Sequence, residues 1–237
     1  MKRFYQDVTI GERDGRWHVL LDGRAVKTVG NRPQALPTAA LAEQLAAEWA
    51  AQGPEIDPAT FLYRDMADYA LDVVAADPAQ TVRDLLPYGE SDTLCYRAEA
   101  GDPLRREQDL VWEPLLAGAE ARHGLAFARI GGIMHQPQPA ETVARLEAIL
   151  AAQDPFALAA LRNLAGLAAS LVIGLTVLDG SVGPEELWTA ASIEEDWQAE
   201  RWGRDAEAEA RRKHRREVFL AAARFATLAA GQDNREG

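Results

Sequence analysis

From residue 57 onward the chain is punctuated by Asp-Pro pairs, at Asp57-Pro58, Asp77-Pro78, Asp102-Pro103 and Asp154-Pro155. Each sets a carboxylate that can accept a backbone N–H in front of a proline at the first helical position, where a missing N–H costs nothing. Four helix starts are marked in this way, and the sequence beyond residue 57 has few other ways to fold. Apolar periodicity between the marks predicts helices over 58–76, 78–86, 103–123, 140–152, 155–178, 184–202 and 205–230, with ends good to about three residues. Pro114 is expected to kink or split the third of these. Thr93 to Ala98 and Leu125 to Ile130 read as short extended pieces, and Gly131 to Pro139 as a loop.

The first part of the chain is punctuated differently. Phe4 to Ile10, Arg16 to Leu21 and Arg24 to Val29 have strand character, separated by a turn at Arg13-Asp14-Gly15 and by the Asp22-Gly23 turn. Asp-Gly between apolar runs favours a type I′ hairpin turn, which needs positive φ at both central residues. Thr38 can then cap a helix whose Leu41, Leu45 and Trp49 recur every four residues, closed by Gly53-Pro54. The expected fold class is α+β: a small β-rich N-terminal domain with one helix, residues 1–56, followed by a larger all-α C-terminal domain, residues 57–237. Three strands alone bury too little to stand independently, so the first domain is expected to lean on the second.

Alanine dominates a hydrophobic share of 48%, which favours helix, and the formal charge is −12. That charge opposes general nucleic-acid binding and adhesion to anionic membranes, and would attract a basic protein surface. The single cysteine, Cys95, allows no intrachain disulfide and no multi-thiolate metal site, and fits a reducing compartment. Met1 to Asp7 lacks an apolar signal core, and the acidic Asp7, Glu12 and Asp14 do not suit a mitochondrial transit peptide, so the cytoplasm is the expected location. The longest uncharged apolar stretch, Leu164 to Leu178, is 15 residues, against the roughly 20 that a membrane span needs. It reads as a buried helix, and no membrane insertion is expected.

No catalytic constellation emerges. The four histidines, His18, His123, His135 and His214, are far apart. The one Glu-x-x-His, Glu120 to His123, lacks the second copy that a helical di-iron site requires. Gly180-Ser181-Val182-Gly183 lacks the glycine two residues before the serine that a nucleophile elbow needs, and no phosphate-cradling loop is present. No metal, cofactor or enzymatic activity is expected. The basic run Arg211 to Arg216 is flanked by Glu207, Glu209 and Glu217, with Lys213 placed to pair with Glu209 and Glu217 on a solvated helix face. Two rival readings remain: a helical metal-dependent enzyme using Glu120 and His123, and nucleic-acid binding through the Arg211 to Arg216 helix.

The segment from Glu185 to Trp202 is of another kind. Projected at 100° per residue, Leu187, Trp188, Ala191, Ser192, Ala199 and Trp202 fall on one side, with Glu195 inside that stripe and Glu194 at its margin. Ile193 and Trp197 lie roughly opposite, giving a second apolar strip where one core needs only one. The second strip can meet another chain. Alternatively both strips are buried, with Glu195 paired to a local arginine such as Arg201 or Arg204. Trp49 and Trp112 read as packing residues.

Several segments in order resemble one family. They are Arg3-Phe4-Tyr5, Leu21-Asp22-Gly23-Arg24 with Val26-Lys27-Thr28, Ala47-Glu48-Trp49, Asp92-Thr93-Leu94-Cys95-Tyr96-Arg97, Trp112-Glu113-Pro114-Leu115-Leu116, and Ile193-Glu194-Glu195-Asp196-Trp197-Gln198 with Trp202-Gly203. They resemble the assembly chaperones, mitochondrial and bacterial, that bind the α subunit of the soluble catalytic head of F-type ATP synthase. The resemblance implies a β-rich domain followed by a helical one, the α subunit as partner, and a mitochondrial-matrix location for mitochondrial relatives. It also implies action through the acidic segment, with the family's key glutamate falling on Glu194, where the helical projection favours the adjacent Glu195. The partner-binding set expected is therefore Glu194, Glu195, Trp197, Trp202 and Trp188. Two positions depart from the family pattern: Glu113 stands where aspartate is usual, and Phe61-Leu62-Tyr63-Arg64 replaces a stretch that usually carries threonine.

Overall fold

A computed structural model describes residues 1–132, 134–203 and 205–231. The fold is α+β, with a three-stranded and a two-stranded sheet and a predominance of helix. It divides into two compact units: residues 1–78 with 154–160 and the described residues from 224 on, and residues 79–153 with 161–223.

In the first unit, β1 (Val8–Arg13), β2 (Arg16–Leu21) and β3 (Arg24–Ala25) form an antiparallel meander, with Arg13 opposite Arg16 and Leu21 opposite Arg24. Both two-residue turns have the expected positive φ, 53° and 72° at Asp14 and Gly15, and 48° and 77° at Asp22 and Gly23. The strands are shorter at their outer ends than the sequence suggests. Gln6 and Asp7 give their N–H groups to Asp22 Oδ1 instead of to a ladder. Beyond β3, Val29 and Gly30 donate to the carboxylates of Asp68 and Asp72, so Val29 is drawn out of the sheet.

Helix α1 (Ala39–Ala50) begins where Thr38 Oγ1 accepts from Leu41 N, and it buries Leu41, Ala42, Leu45 and Trp49. A fully buried side chain of this size contributes about 1.5–3 kcal/mol, so this single stripe accounts for much of the unit's cohesion. Trp49 sits between Tyr5, edge-on at 5.6 Å, and Phe61, at 4.6 Å.

The helix predicted over 58–76 is interrupted. A 3-10 turn spans Pro58–Thr60, Phe61 leaves the helical region at φ −90° and ψ 85°, and α2 (Leu62–Tyr69) runs on into a π turn over Ala70–Val74. The physical reason is remote. Glu48, on α1, accepts the N–H groups of Tyr63 and Arg64 at 2.8 Å each and so caps a new helix start that local spacing does not announce. The departure at Phe61 to Arg64 thus falls where capping is supplied from another element.

In the second unit, α3 (Pro78–Leu85) and α4 (Pro87–Glu90) lead to β4 (Tyr96–Arg97), which pairs in parallel with β5 (Ile130–Gly131). Helix α5 (Pro103–His123) is capped by Asp102 and is not divided by Pro114. Leu110, whose carbonyl Pro114 cannot serve, is exposed, so water can take that bond. The inward stripe of α5 is Gln108, Trp112, Leu115, Leu116 and Ala119.

Helix α6 spans Ala140–Ala151, and α7 (Pro155–Ala168) and α8 (Leu171–Asp179) replace the single helix predicted over 155–178. Ala169 takes φ 49°, strained for a residue with a Cβ. Ser170 Oγ then caps Ile173 N, and buried Asp92 accepts from Val172 N at 2.9 Å. Thr93 ties down the Ala169 carbonyl through both its N–H and its hydroxyl. As with Glu48, a distant carboxylate decides where a helix restarts. The remaining helices are α9 (Pro184–Ala191), α10 (Ile193–Trp202) and α11 (Ala206–Ala229).

Candidate functional site

The helix predicted over 184–202 is two helices. Ser192, at φ −99° and ψ 2°, separates α9 from α10, so the angular phase that placed Glu195 among the tryptophans does not carry across residue 192. On α9, Leu187, Trp188 and Ala190 are buried, whereas α10 buries none of its residues. The two apolar strips of the projection are therefore one buried stripe on α9 and a separate, more open set on α10.

Helix α5 holds both sides of this break. Trp112, fully buried, donates its indole N–H to the Ala190 carbonyl at 2.8 Å, two residues before Ser192. Gln108 lies one helical turn earlier on the same face and donates its Nε2 to Glu194 Oε1 at 2.7 Å, two residues after it. Gln108 is itself fully buried, and its Oε1 accepts from Ala98 N at 2.8 Å. The stretch before Ala98 is anchored in turn: buried Arg97 meets Asp109 at 2.5 Å and Glu113 at 2.7 Å, and Arg129 joins Glu113 to Glu120. Among the positions in the resembling segments, Arg97, Trp112, Glu113 and Glu194 thus belong to a connected structure.

The three carboxylates that open α10 have different surroundings. Glu195 pairs with Arg215 at 3.3 Å and Asp196 with Arg212 at 2.6 Å, both from α11. The alternative reading paired Glu195 with Arg201 or Arg204; Arg201 lies over the Trp197 ring at 4.3 Å, and Arg204 is outside the described residues. Glu194 is exposed and has no cation among the described residues; its bond comes from the neutral Gln108 amide. Loss of water around it pushes the Glu194 carboxyl above the ordinary range, and the Gln108 hydrogen bond offsets this only in part.

The other expected residues fall into distinct places. Trp202, 80% exposed, stands at the end of α10, and Trp197 is half-buried. Trp188 is buried against Phe219 at 5.4 Å, with Arg215 over its ring. It packs behind the surface formed by α10. Trp49 and Trp112 are core residues, with Trp112 adding the carbonyl contact that sequence spacing could not reveal. Gln108 was missed altogether, although a polar residue four before Trp112 on an otherwise apolar stripe was a usable signal.

The basic run is spent differently from expectation. Lys213 was expected to pair with Glu209 and Glu217; among the described residues the ion pairs of the run join Arg211 to Glu207, Arg212 to Asp196, Arg215 to Glu195 and Arg216 to Glu185. Three of the four arginines serve to hold α9 and α10 on α11. Glu120 binds Arg129 and the Phe127 N–H, and His123 binds Asp179 at 2.9 Å. Among the described residues no group of three or more His, Cys, Asp or Glu side chains is placed to hold a metal ion, and no helix is long and apolar enough to cross a membrane.

Helix α10 is thus acidic, carries an exposed tryptophan and is braced from behind by a buried polar relay, features of the kind found where one protein meets another. Comparison with known proteins gives this class a family. The model of the ATP12 chaperone protein family matches residues 2–120. The crystal structure of Atp12 from Paracoccus denitrificans is similar, with 37% identity and a TM-score of 0.90 over 96% of this chain and 98% of that one. A mutant of the same P. denitrificans protein matches equally, at 37% identity and a TM-score of 0.90, over 96% of this chain and 97% of that one. The Atu1473 protein of Agrobacterium tumefaciens has 35% identity and a TM-score of 0.90 over 97% of this chain and 86% of that one. The chain belongs to the ATP12 chaperone family, the ATP synthase assembly chaperones to which the sequence segments pointed.

Proposed function

We propose that this chaperone binds the α subunit of F-type ATP synthase through α10 and shields that subunit's assembly interface until the β subunit takes its place. A subunit destined for a ring exposes apolar surface before its neighbour arrives, and such surface self-associates unless covered. Exposed Trp202 and half-buried Trp197 supply contact area of the aromatic kind that dominates interfaces.

The observation that carries the reading is the state of Glu194. Its two neighbours already have arginines, while Glu194 keeps a partly dehydrated carboxylate with no cation among the described residues. A lysine or arginine of the partner would complete it, and a charge that is paired and desolvated on binding favours the correct partner. The chemistry asked of the chain is reversible contact without catalysis or cofactor. The engagement of Glu120, His123 and the α11 arginines in internal pairs weighs against the metal-enzyme and nucleic-acid readings.

Co-expression with α and β subunits separately is the direct test. Retention of α, and its loss in Glu194→Lys with the fold intact, is the expected outcome. Retention of neither subunit, or unaltered α binding by Glu194→Lys, would sink the proposal.

A further inference from the structure

We infer that Gln108 is the positioning residue of this site: its buried side-chain amide is oriented by the Ala98 backbone N–H so that it must present a donor to Glu194, fixing which oxygen of Glu194 is left for the partner. The inference rests on the reading of Glu194 as the partner's contact and goes beyond it by assigning how that carboxylate is set.

A glutamine amide has one acceptor end and one donor end, and crystallographic shape alone does not tell them apart. Here the chemistry does. The group that meets the amide from the β4 side is a backbone N–H, which can only donate, at 2.8 Å. That end must be the oxygen, and the NH2 therefore faces Glu194 Oε1 at 2.7 Å. Were the amide reversed, two donors would face each other inside the protein, and Glu194 would face a second acceptor. Because Gln108 is fully buried, its own amide has no water to relieve the mismatch at the Ala98 N–H.

The Ala98 end is itself rigid. Arg97 is clamped by Asp109 and Glu113, and Arg105 reaches both Asp109 and the Ala98 carbonyl. Besides Arg97 of β4, the side chains that hold this end, Arg105, Asp109 and Glu113, all come from α5, the helix that carries Gln108. On the far side, Trp112 fixes α9 at Ala190. Glu194 Oε1 is consequently occupied by a neutral donor, and Oε2 is the atom left to meet a cation. A neutral donor in this place leaves the full negative charge for the partner, where an arginine in the position of Gln108 would have cancelled it. The groups bearing on Glu194 are few. Gln108 reaches it from α5, the flanking Glu195 and Asp196 of α10 turn to Arg215 and Arg212 of α11, and its carboxyl responds to desolvation and to Gln108.

The test uses the full chain with Gln108→Glu and Gln108→Leu, read in two ways. The first is titration of the Glu194 carboxyl by NMR, which needs no partner. Gln108→Leu removes the donor that favours the ionised form, so the Glu194 midpoint moves upward. An unchanged midpoint in a folded variant overturns the inference. The second is binding to isolated α subunit as a function of pH. Wild type is flat above its acid limb and falls as Glu194 takes up a proton. In Gln108→Glu one oxygen still accepts from Ala98 N–H while the other opposes Glu194, so α binding at pH 8 weakens roughly tenfold or more. It recovers on acidification, when the two carboxyls share one proton and the donor is restored, and then falls again. A bell in place of a plateau is a change that loss of structure does not produce. If Gln108→Glu follows the wild-type profile while Glu194→Lys abolishes binding, Gln108 is not the positioning residue. If Glu194→Lys binds α normally, the proposed function fails instead, and the NMR titration still decides the geometry.

Discussion

Asp92 should give the stability of this protein an inverse dependence on pH through one identifiable group. It is wholly buried at the start of α8, with Oδ1 accepting from Leu94 N at 3.0 Å and Oδ2 from Val172 N at 2.9 Å. Burial disfavours its charge more than these donors and the helix N-terminus favour it, and its pKa rises from the ordinary 3.8 to about 6. The folded state therefore holds this proton more tightly than the unfolded chain. The stabilisation is fully present below the unfolded value and is lost as pH rises through about 6, a total of about 3 kcal/mol. About 1 kcal/mol of that falls between pH 5 and pH 7.5 by the same linkage.

Other carboxyls raised by burial, Glu48, Asp68 and Glu194, add slopes of their own, so the measurement is a difference. Asp92→Asn does not titrate, but it turns an NH2 toward one of two backbone donors, which costs about 1–3 kcal/mol at acid pH. Urea denaturation of both proteins at pH 5 and pH 7.5 should show the stability gap narrowing by about 1 kcal/mol at the higher pH. Parallel stabilities across that interval would refute the assignment of a proton to Asp92.

Three further outcomes are expected. Glu48→Ala removes the cap on Tyr63 and Arg64 and should cost about 1–2 kcal/mol in urea denaturation, with loss of helicity confined to α2. Trp112→Phe leaves the buried Ala190 carbonyl without its donor, which should cost about 1–3 kcal/mol of stability and also weaken α-subunit binding, because α10 loses its brace on the α9 side. Arg97→Met takes a buried guanidinium away from Asp109 and Glu113, which are part-exposed and keep Arg105 and Arg129; thermal unfolding should report a loss of about 1–3 kcal/mol if Arg97 holds the β4 strand on α5.

Some of this molecule was legible in its residues taken in order. Asp14-Gly15 and Asp22-Gly23 adopt the positive φ that their hairpins require. Asp57, Asp102 and Asp154 each accept N–H groups from the residues just past their prolines. The buried stripes of α1 and α5 keep their spacing. These features are local: the capping atom and the group it satisfies lie within one turn of each other, so a short stretch of sequence contains the whole interaction. The resembling segments likewise led to the family.

Only the tertiary structure decided where three predicted helices break. At Phe61, Ala169 and Ser192 the local sequence favours continuing, and the terminating bonds come from Glu48, from Asp92 with Thr93, and from Trp112 with Gln108. Each of these groups lies at least 15 residues from its partner, beyond the reach of any helical or strand period. The same holds for the choice among the three carboxylates of α10. Spacing could rank Glu194 and Glu195 only by face, and the break at Ser192 removes that ranking. What separates them is that α11 gives Glu195 and Asp196 an arginine each, while α5 gives Glu194 a neutral amide and leaves its charge unspent.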